Sequence, residues 1–527
     1  MPGASATRFA SLLRKSRVRI LIKDNETINT VIPFESEAAL AVRGKIDQIV
    51  FDRWKRLGIQ PALGCSDEVF LRRAFIDAIG TLPTADESAQ FLADKSPGKR
   101  DALIDRLLER DEFADYWAMR WSELLRVKSE FPINLWPNAV QAYYRWIHTA
   151  VAHNLPYDQF ARQLLVANGS NFRVPEVNFY RAVQSKEPLG LAQAVALTFM
   201  GARTGEWIGA MAEFFSQVGY KSTDEWKEEI VYFDPTKKAP AGLAFPDGKP
   251  ARLEPGQDPR AVFADWLIQP QNPWFARNIV NRIWYWLLGR GIVHEPDDIR
   301  PDNPPSNPEM LAFLEQELTG AHYDLKHIYR LILNSQVYQM SSLVPDGASE
   351  AGAAQFAWYP KRRLDAEVLI DAICQVTGTD EEYESPIPEP FTFLPEQQRA
   401  VGIADGSISS AFLDLFGRPP RDTGLASERN NQPSAEQRLH LLNSSHIQQK
   451  IQQSAKLRAL VQPGSKPHDP IDRLYLTLLS RYPTDDELKV VAAYFQPTSQ
   501  ATLGNKWPAV VDVTWALMNS AEFLYRH

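Results

Sequence analysis

The stretch SDEVFLRRAFIDAIGTLPTADE, residues 66–87, shows most directly how this chain folds. It begins with Ser66, whose hydroxyl can cap a helix, and acidic residues that favour the first helical turn follow at once. Apolar residues then recur mostly at helical spacing as far as Gly80. Thr84 and Glu87 have the spacing of a capping box, in which each side chain satisfies a free backbone N–H at the start of a second helix. The stretch therefore predicts two consecutive helices.

A similar stretch returns near the other end of the chain. FLRRAFIDAIGTLPTADE is followed by ALIDRLLERDEFADYW, and DRLYLTLLSRYPTDDE is followed by VVDVTWALMNSAEFLYR. The matching positions are Pro83-Thr84 with Pro483-Thr484, Glu87 with Glu487, and Glu112-Phe113 with Glu522-Phe523. Repetition in a fixed order indicates one helical unit used twice. Chance convergence on a common helix-capping sequence is the alternative.

Helical patterns fill most of the chain, and they predict a mainly α, multi-helical protein of two modules. One β-rich run, EEIVYFDP, is followed by a series of Pro and Gly residues and predicts a small β-hairpin or loop insertion. The predicted units are a basic N-terminal tail and lead-in (1–38), a helical N-terminal module (39–221), the insertion (222–258), and a helical C-terminal module (259–527) with an irregular stretch at 377–410.

The bulk composition is that of an ordinary globular protein, with 44% hydrophobic and 23% charged residues. A net charge of −8 argues against nucleic acid as the main partner, which requires a concentrated basic face. No stretch approaches the roughly 18 apolar residues of a membrane span. The N-terminal residues are basic but lack the apolar core of a secretion signal, so no signal peptide is readable in this chain. The 14 Trp are expected mostly in the core, with aromatic platforms for sugar or partner binding as the alternative.

The most polar cluster is the loop HEPDDIRPDN, residues 294–303. Asp297, Asp298 and Asp302 are the hard oxygen donors that Ca²⁺ prefers. Asp297 and Asp298 could also act as a catalytic acid and base if burial separated their pKa values. The favoured interpretation is structural, with nearby arginines pairing with these carboxylates. The candidate binding residues in this region are Arg282, Trp284, Arg290, Arg300 and Asn303.

Several segments of the sequence resemble the planctomycete cytochrome-associated proteins. In that family a cytochrome-associated domain precedes a planctomycete-specific C-terminal domain, and both domains are of unknown function. The segments are FADYWAMRWSELLR (113–126), NPWFARNIVNRIWYWLLGRGIVHEPDDIRPDNPPSNPEMLAFL (272–314), RRLDAEVLIDAI (362–373), FGRPPRD (416–422) and LHLLNS (439–444). The resemblance covers roughly residues 40–527. It implies the two-module architecture more than any chemistry.

The chain departs from this family at its haem motif. Members usually carry Cys-x-x-Cys-His in the first module, where this chain has FMGARTGEWIGAMAEFF (199–215) without cysteine or histidine. Many relatives also have cysteines in the stretch that matches LASER (425–429), and these are missing too. Covalent c-type haem needs both thiols and the histidine. The sequence therefore predicts a branch without c-type haem and without another cofactor, with calcium at the 294–303 loop as the alternative.

The resemblance implies a non-redox helical scaffold or binding protein of the periplasm or cell envelope, linked to polysaccharide handling, with a protein or glycan partner. The alternative is an enzyme, a glycan-acting hydrolase or lyase whose site lies near the 294–303 loop. An enzyme requires a concave site with convergent carboxylates. The sequence favours the binding protein and leaves the enzyme open.

Overall fold

A computed structural model describes residues 34–36, 38–238, 240, 242–460, 469–495 and 506–527. Most of the predicted basic tail therefore lies outside the described residues. The helices of the first half are α1 (Lys45–Leu57), α2 (Asp67–Ile79), α3 (Ala85–Ala93), α4 (Lys99–Leu108), α5 (Asp111–Leu124), α6 (Pro137–Ala152), α7 (Tyr157–Val166), α8 (Asn178–Arg181), α9 (Pro188–Val195) and α10 (Trp207–Met211).

The helices of the second half are α11 (Pro259–Leu267), α12 (Phe275–Leu288), α13 (Pro308–Gly320), α14 (Leu325–Asn334), α15 (Glu350–Ala354), α16 (Ala366–Thr377), α17 (Ala411–Leu415), α18 (Ala435–Asn443), α19 (Ser445–Gln453), α20 (Ala455–Ala459), α21 (Asp469–Leu479), α22 (Asp485–Tyr494), α23 (Trp507–Met518) and α24 (Ala521–Leu524). Helices dominate the described residues, so the predicted mainly α fold class is confirmed. Between α16 and α17, where an irregular stretch was predicted, the chain forms only a short 3₁₀ turn at Ala400–Gly402.

The caps predicted from the sequence start the helices as expected. The Ser66 hydroxyl accepts a hydrogen bond from the Val69 N–H, and α2 ends at Gly80 in the left-handed conformation. Thr84 and Glu87 form the complete capping box that starts α3. These contacts satisfy N–H groups that a helix end leaves without a partner.

The C-terminal unit repeats this arrangement. Thr484 and Glu487 form a second complete capping box at the start of α22. The two units also pack on each other, because the buried Arg72 of α2 donates to the carbonyls of Leu478 (2.8 Å) and Phe523 (3.0 Å) in the C-terminal unit. The predicted pair of helical units therefore forms one packed body that joins the two ends of the chain.

Strands are few and short. β2 (Val218–Ser222) and β3 (Glu229–Phe233) form an antiparallel hairpin, and β1 (Gly169–Ser170) pairs with the other edge of β3. The hairpin begins four residues before the predicted insertion at 222–258. A separate antiparallel pair joins β4 (Arg362–Arg363) to β5 (Tyr525–Arg526). The sequence did not predict these two-residue pairings outside the insertion, because they depend on contacts between distant segments.

The core is continuous through both modules, and α12 passes through it with Ile279, Ile283 and Trp284 fully buried. Of the 14 Trp, all of them described, only Trp226 is mostly exposed (60%). It packs against Trp136 (ring centroids 4.7 Å apart) and Phe391 (5.4 Å) in a small surface cluster. Most Trp therefore serve the core, as expected. No helix among the described residues is long and apolar enough to cross a membrane.

Candidate ligand-binding cleft

The 294–303 loop is anchored by a buried ion pair. Nη2 of Arg282, on α12, lies 2.6 Å from Oδ1 of Asp297, and the two side chains are 2% and 3% exposed. The second oxygen, Oδ2 of Asp297, accepts a hydrogen bond from the Ala426 N–H at 2.6 Å. Both oxygens of this carboxylate are therefore engaged, one by a helix and one by a distant loop.

The remaining polar residues of the loop bind one another near the surface. Arg300 lies between Asp298 (2.7 Å) and Asp302 (3.2 Å). The Asn303 amide donates to the carbonyls of His294 and Asp298. The carboxylates thus have arginine partners, and the part of the chain that the structure describes contains no group of three or more His, Cys, Asp or Glu that could hold a metal ion.

The other two predicted binding residues lie apart from this cluster. Trp284 is fully buried, with its ring 5.1 Å from that of Phe356, and its indole N–H has no hydrogen-bond partner among the described residues. Arg290 is half-buried, and its Nε likewise has no partner there. The structure therefore brings together Arg282 with Asp297, and Arg300 and Asn303 with Asp298, but not all the predicted residues in one site.

The loop packs against the segment at 199–215. The Ile299 N–H donates to the Gly201 carbonyl at 2.9 Å, and the Arg203 N–H donates to the Asp297 carbonyl at 3.2 Å. Gly201 has φ +65°, and a Cβ there would lie 2.7 Å from the side-chain oxygen of Asn278. This close approach of backbone to α12 requires glycine.

A polar cleft of about 380 Å³ opens beside this loop. Ala426, whose N–H binds Asp297, is one of the residues that line it. The charged lining residues are Arg120, Glu123, Lys361, Arg362, Arg363, Asp365 and Arg429. The uncharged ones are Tyr285, Trp286, Gly289, Ala426, Asn430, Asn431, Gln432, Pro433 and Tyr525. We refer to this site as the polar cleft.

Asp365 forms the base of the polar cleft. It immediately precedes α16, yet its carboxylate does not cap that helix and turns to cationic groups instead. It pairs with Arg120, a residue of α5, and with Nη2 of Arg526 at 2.8 Å. Its other oxygen accepts from the Asn431 amide at 2.7 Å. Burial alone would raise the pKa of Asp365, but the neighbouring guanidinium groups outweigh it and hold this pKa well below its usual range.

Arg429 joins the two modules at one wall of the polar cleft. Its Nη2 lies 2.5 Å from Oε1 of Glu123 on α5, and its Nη1 lies 2.7 Å from Oε2 of Glu367 on α16. Burial opposes ionisation of Glu367, but Arg429 and Arg418 outweigh that effect and lower its pKa. Glu367 and Asp365 therefore stay ionised in tight arginine pairs.

These residues were not predicted as a site. Each lies in a sequence segment quoted above: Arg120 and Glu123 in FADYWAMRWSELLR, Asp365 in RRLDAEVLIDAI, and Arg429 in LASER. For Arg120 and Glu123 the available signal was a charged residue inside the apolar helical pattern of α5, since a buried charge requires a partner. The sequence could not show which distant charge supplies that partner.

Family models match both halves of the chain. PSCyt2, a protein of unknown function (DUF1549), matches residues 45–206, and PSD1, a protein of unknown function (DUF1553), matches residues 259–495. The chain belongs to the planctomycete cytochrome-associated family. Comparison with curated proteins and with solved structures finds no match. The polar cleft lies where the two family modules meet, since α5 belongs to the first match and α16 to the second.

The covalent haem usual in this family does not fit the residues present here. Residues 199–207 contain no thiol and no imidazole. The only cysteines are Cys65, which is buried, and Cys374, whose Sγ lies 3.7 Å from the Lys450 ammonium. Burial raises the pKa of the Cys374 thiol to about 12. Neither cysteine lies in a Cys-x-x-Cys-His sequence, so the chain offers no thioether attachment.

Proposed function

We propose that this protein is a non-redox helical binding protein that holds a glycan in the polar cleft. The observation that carries the proposal is a contrast within the cleft. The lining carboxylates of Asp365 and Glu123 are fixed by arginines, while Oδ1 of Asn431 is buried and has no hydrogen-bond donor among the described residues. An unpaired buried acceptor costs free energy that a ligand hydroxyl would recover.

The lining of the polar cleft suits a polyhydroxylated ligand. Asn430, Asn431 and Gln432 are consecutive and present both amide donors and amide acceptors. Trp286 and Tyr285 add aromatic surface beside them, on the same helix turn of α12. Ligand sites commonly combine apolar and aromatic surface with a few placed polar groups.

The ionisation of the base carboxylates supports binding over hydrolysis. A glycosidase needs one carboxyl group that holds its proton near neutral pH and a second that is ionised. Here arginines lower the pKa of Asp365 in the cleft and that of Glu367 directly behind it, so neither of these carboxyls is set up as a general acid. The other lining carboxylate, Glu123, is bound by Arg429. The alternative of a glycan hydrolase or lyase at the 294–303 loop would use Asp297, whose two oxygens are already engaged.

The wider setting belongs to the same proposal. Family membership suggests a place in the cell envelope beside polysaccharide-handling proteins, and it supplies the class of ligand with which to begin. A scaffold role fits the arrangement in which Arg429 and Asp365 hold the two modules together around the cleft.

Titration calorimetry with a panel of cello-, xylo- and galacturono-oligosaccharides tests the proposal. We expect binding by the wild type and a loss of about 2- to 10-fold in affinity for Gln432→Ala, because one amide contact is worth about 0.5–1.5 kcal/mol. Gln432 is exposed, so its removal should leave the fold unchanged. Gln193→Ala, an equally exposed change on α9, is the matched control. Absence of binding to every member of the panel, or equal loss in both variants, would overturn the proposal.

A further inference from the structure

The walls of the polar cleft carry more positive than negative charge. Five cationic side chains line it, against the two carboxylates of Glu123 and Asp365. Two more carboxylates stand directly behind, Glu367 bound to Arg429 and Asp77 bound to Arg526. Two more cations lie behind the cleft with these carboxylates: Arg418, which pairs with Glu367, and Arg526, which pairs with Asp77. In the cleft and directly behind it there are therefore seven cationic side chains and four carboxylates.

Among the described residues, Arg363 is a buried cation of the cleft that makes no ion pair with a carboxylate. Its side chain donates only to main-chain carbonyls, those of Asn431, Asn430 and Phe416. Its Nη1 is buried and has no acceptor in the described part of the chain, although the residue is only 5% exposed. A buried guanidinium N–H without an acceptor is costly, and an ionised acceptor compensates it best.

Two neighbours of Arg363 strengthen this local excess of positive charge. Lys361 is exposed on the rim and makes no ion pair within the described residues. Arg362 donates to the carbonyls of Trp286 and Leu287 and lies 3.8 Å from the carboxylate of Asp77, which it shares with Arg526, and its Nε has no acceptor there. Burial also lowers the pKa of Arg363, as expected for a cation that lacks a close carboxylate.

We infer that the polar cleft recognises an anionic group on its ligand, a carboxylate or a sulfate or phosphate ester, with Arg363 and Lys361 as its cationic partners. The planar guanidinium of Arg363 presents N–H donors that match an oxyanion. The carboxylates of the cleft do not compete for it, because each already has its own arginine. This inference rests on the proposed function, since it names the chemical class of the ligand for the same site.

The test compares ligands that differ only in charge, using the full chain and titration calorimetry. Glucuronate is paired with glucose, and sodium sulfate tests the anion alone. We expect glucuronate to bind more tightly than glucose, and its affinity to fall between 50 and 300 mM NaCl as salt screens the charges.

Variants that change the charge of the polar cleft by one unit sharpen the test. Gln432→Glu and Lys361→Gln each lower the charge by one at an exposed lining residue. Each should weaken glucuronate binding about 2- to 5-fold more than it weakens glucose binding, the size of one exposed charge interaction. Gln193→Glu makes the same chemical change on α9 and should alter the affinity for neither glucuronate nor glucose. Circular dichroism and melting temperature confirm that every variant is folded.

The outcomes separate this inference from the proposed function. Equal affinity for glucose and glucuronate would overturn the anionic group and leave glycan binding intact. If sulfate binds, Gln432→Glu weakens that binding, and neither sugar binds, the result would support the anionic group and refute the glycan. Absence of binding to sulfate and to both sugars would overturn both.

Discussion

Gly80 and Ser480 occupy matching positions in the two helical units, and both adopt the left-handed conformation, with φ of 62° and 59°. Each ends a helix four residues before the threonine of a capping box. A left-handed conformation is the common way for a helix to end, and glycine adopts it without steric cost. The N-terminal unit has the favourable residue at this position and the C-terminal unit does not.

The first prediction exchanges these two residues. Gly80→Ser should destabilise the protein by about 2 kcal/mol or more, because left-handed geometry costs a residue with a Cβ about 1–2 kcal/mol. A Cβ at this position would also lie 2.5 Å from the ring of Tyr116. Ser480→Gly should be neutral or slightly stabilising, since it relieves the same strain. Denaturation midpoints measure both, and a Gly80→Ser variant as stable as the wild type would refute the steric cost assigned to a Cβ at this position.

Local rules account for the part of the fold that the sequence predicted. Ser66 and Thr84 were recognisable as helix caps because their partners lie three residues away, and both caps are present. β4 and β5 escaped prediction because their pairing joins Arg362–Arg363 to the other end of the C-terminal module. Propensity and spacing describe neighbours in sequence, and these strands owe their existence to distant contacts.

The second prediction concerns Arg429 as the link between the modules. Arg429→Gln removes the closest cation of the half-buried Glu123 and of the buried Glu367, and the remaining arginines are 3.6 Å away, so it should lower the free energy of unfolding by about 3–5 kcal/mol. Arg162→Gln breaks the exposed pair with Asp265 and should cost about 0.2–1 kcal/mol. Urea denaturation of both variants compares them.

A double-mutant cycle isolates the contact across the module boundary. Combining Arg429→Gln with Glu123→Gln should cost less than the two single changes together, because the second change removes a charge that the first leaves unpaired. Strict additivity would show that these two residues do not interact.

The polar cleft was harder to predict than the helices for a physical reason. Arg120 and Asp365 are 245 positions apart in sequence, and no motif around either residue identifies the other as its partner. The 294–303 loop attracted attention because its carboxylates are adjacent, and adjacency is visible in one sequence. The structure shows that Asp297 of that loop holds Ala426 at the edge of the cleft, so the loop lies beside the candidate site and helps to shape it.

The third prediction concerns pH and Asp371. Burial raises the pKa of this carboxyl from 3.8 to about 6, although Arg399 and the N–H groups of Ala400 and Val401 favour its ionised form. The folded protein therefore keeps a proton between pH 4 and 6 that the unfolded chain releases. Stability from this group is complete below pH 4 and is lost as the pH rises to 6, by about 3 kcal/mol.

Asp371→Asn removes this titration. Between pH 4 and 6 the stability of the wild type should fall relative to that of the variant, and above pH 6 the difference should stay constant. Asp346→Asn, at an exposed site, should follow the wild type throughout. Parallel curves for wild type and Asp371→Asn would show that Asp371 titrates normally.

The fourth prediction concerns haem. Because residues 199–207 offer no thiol and no axial histidine, the purified protein should be colourless. Acid–acetone extraction removes noncovalently bound haem, and the remaining protein should show no Soret absorption. A Soret band that survives extraction would demonstrate a covalent attachment by residues outside that segment.

The last prediction separates the two neighbouring carboxylates of the 294–303 loop. Asp297 should matter more to the stability of the fold than Asp298, because its partner Arg282 is fully buried, whereas Arg300, the partner of Asp298, is 40% exposed. Asp297→Ala should therefore cost about 3–5 kcal/mol of unfolding free energy by leaving Arg282 unpaired. Asp298→Ala should leave the melting temperature close to that of the wild type.

Measuring the melting temperature with and without a chelator tests the competing roles for this loop. If Asp297, Asp298 and Asp302 held calcium, EDTA would lower the melting temperature of the wild type, and either alanine variant would abolish that effect. If Asp297 and Asp298 were a catalytic pair, both variants would lose glycan turnover while keeping their stability. An ion-paired loop instead predicts no response to EDTA and a large difference between the two variants. The unequal loss arises only when Asp297 is the buried partner of Arg282, so equal melting temperatures for the two variants would refute this assignment.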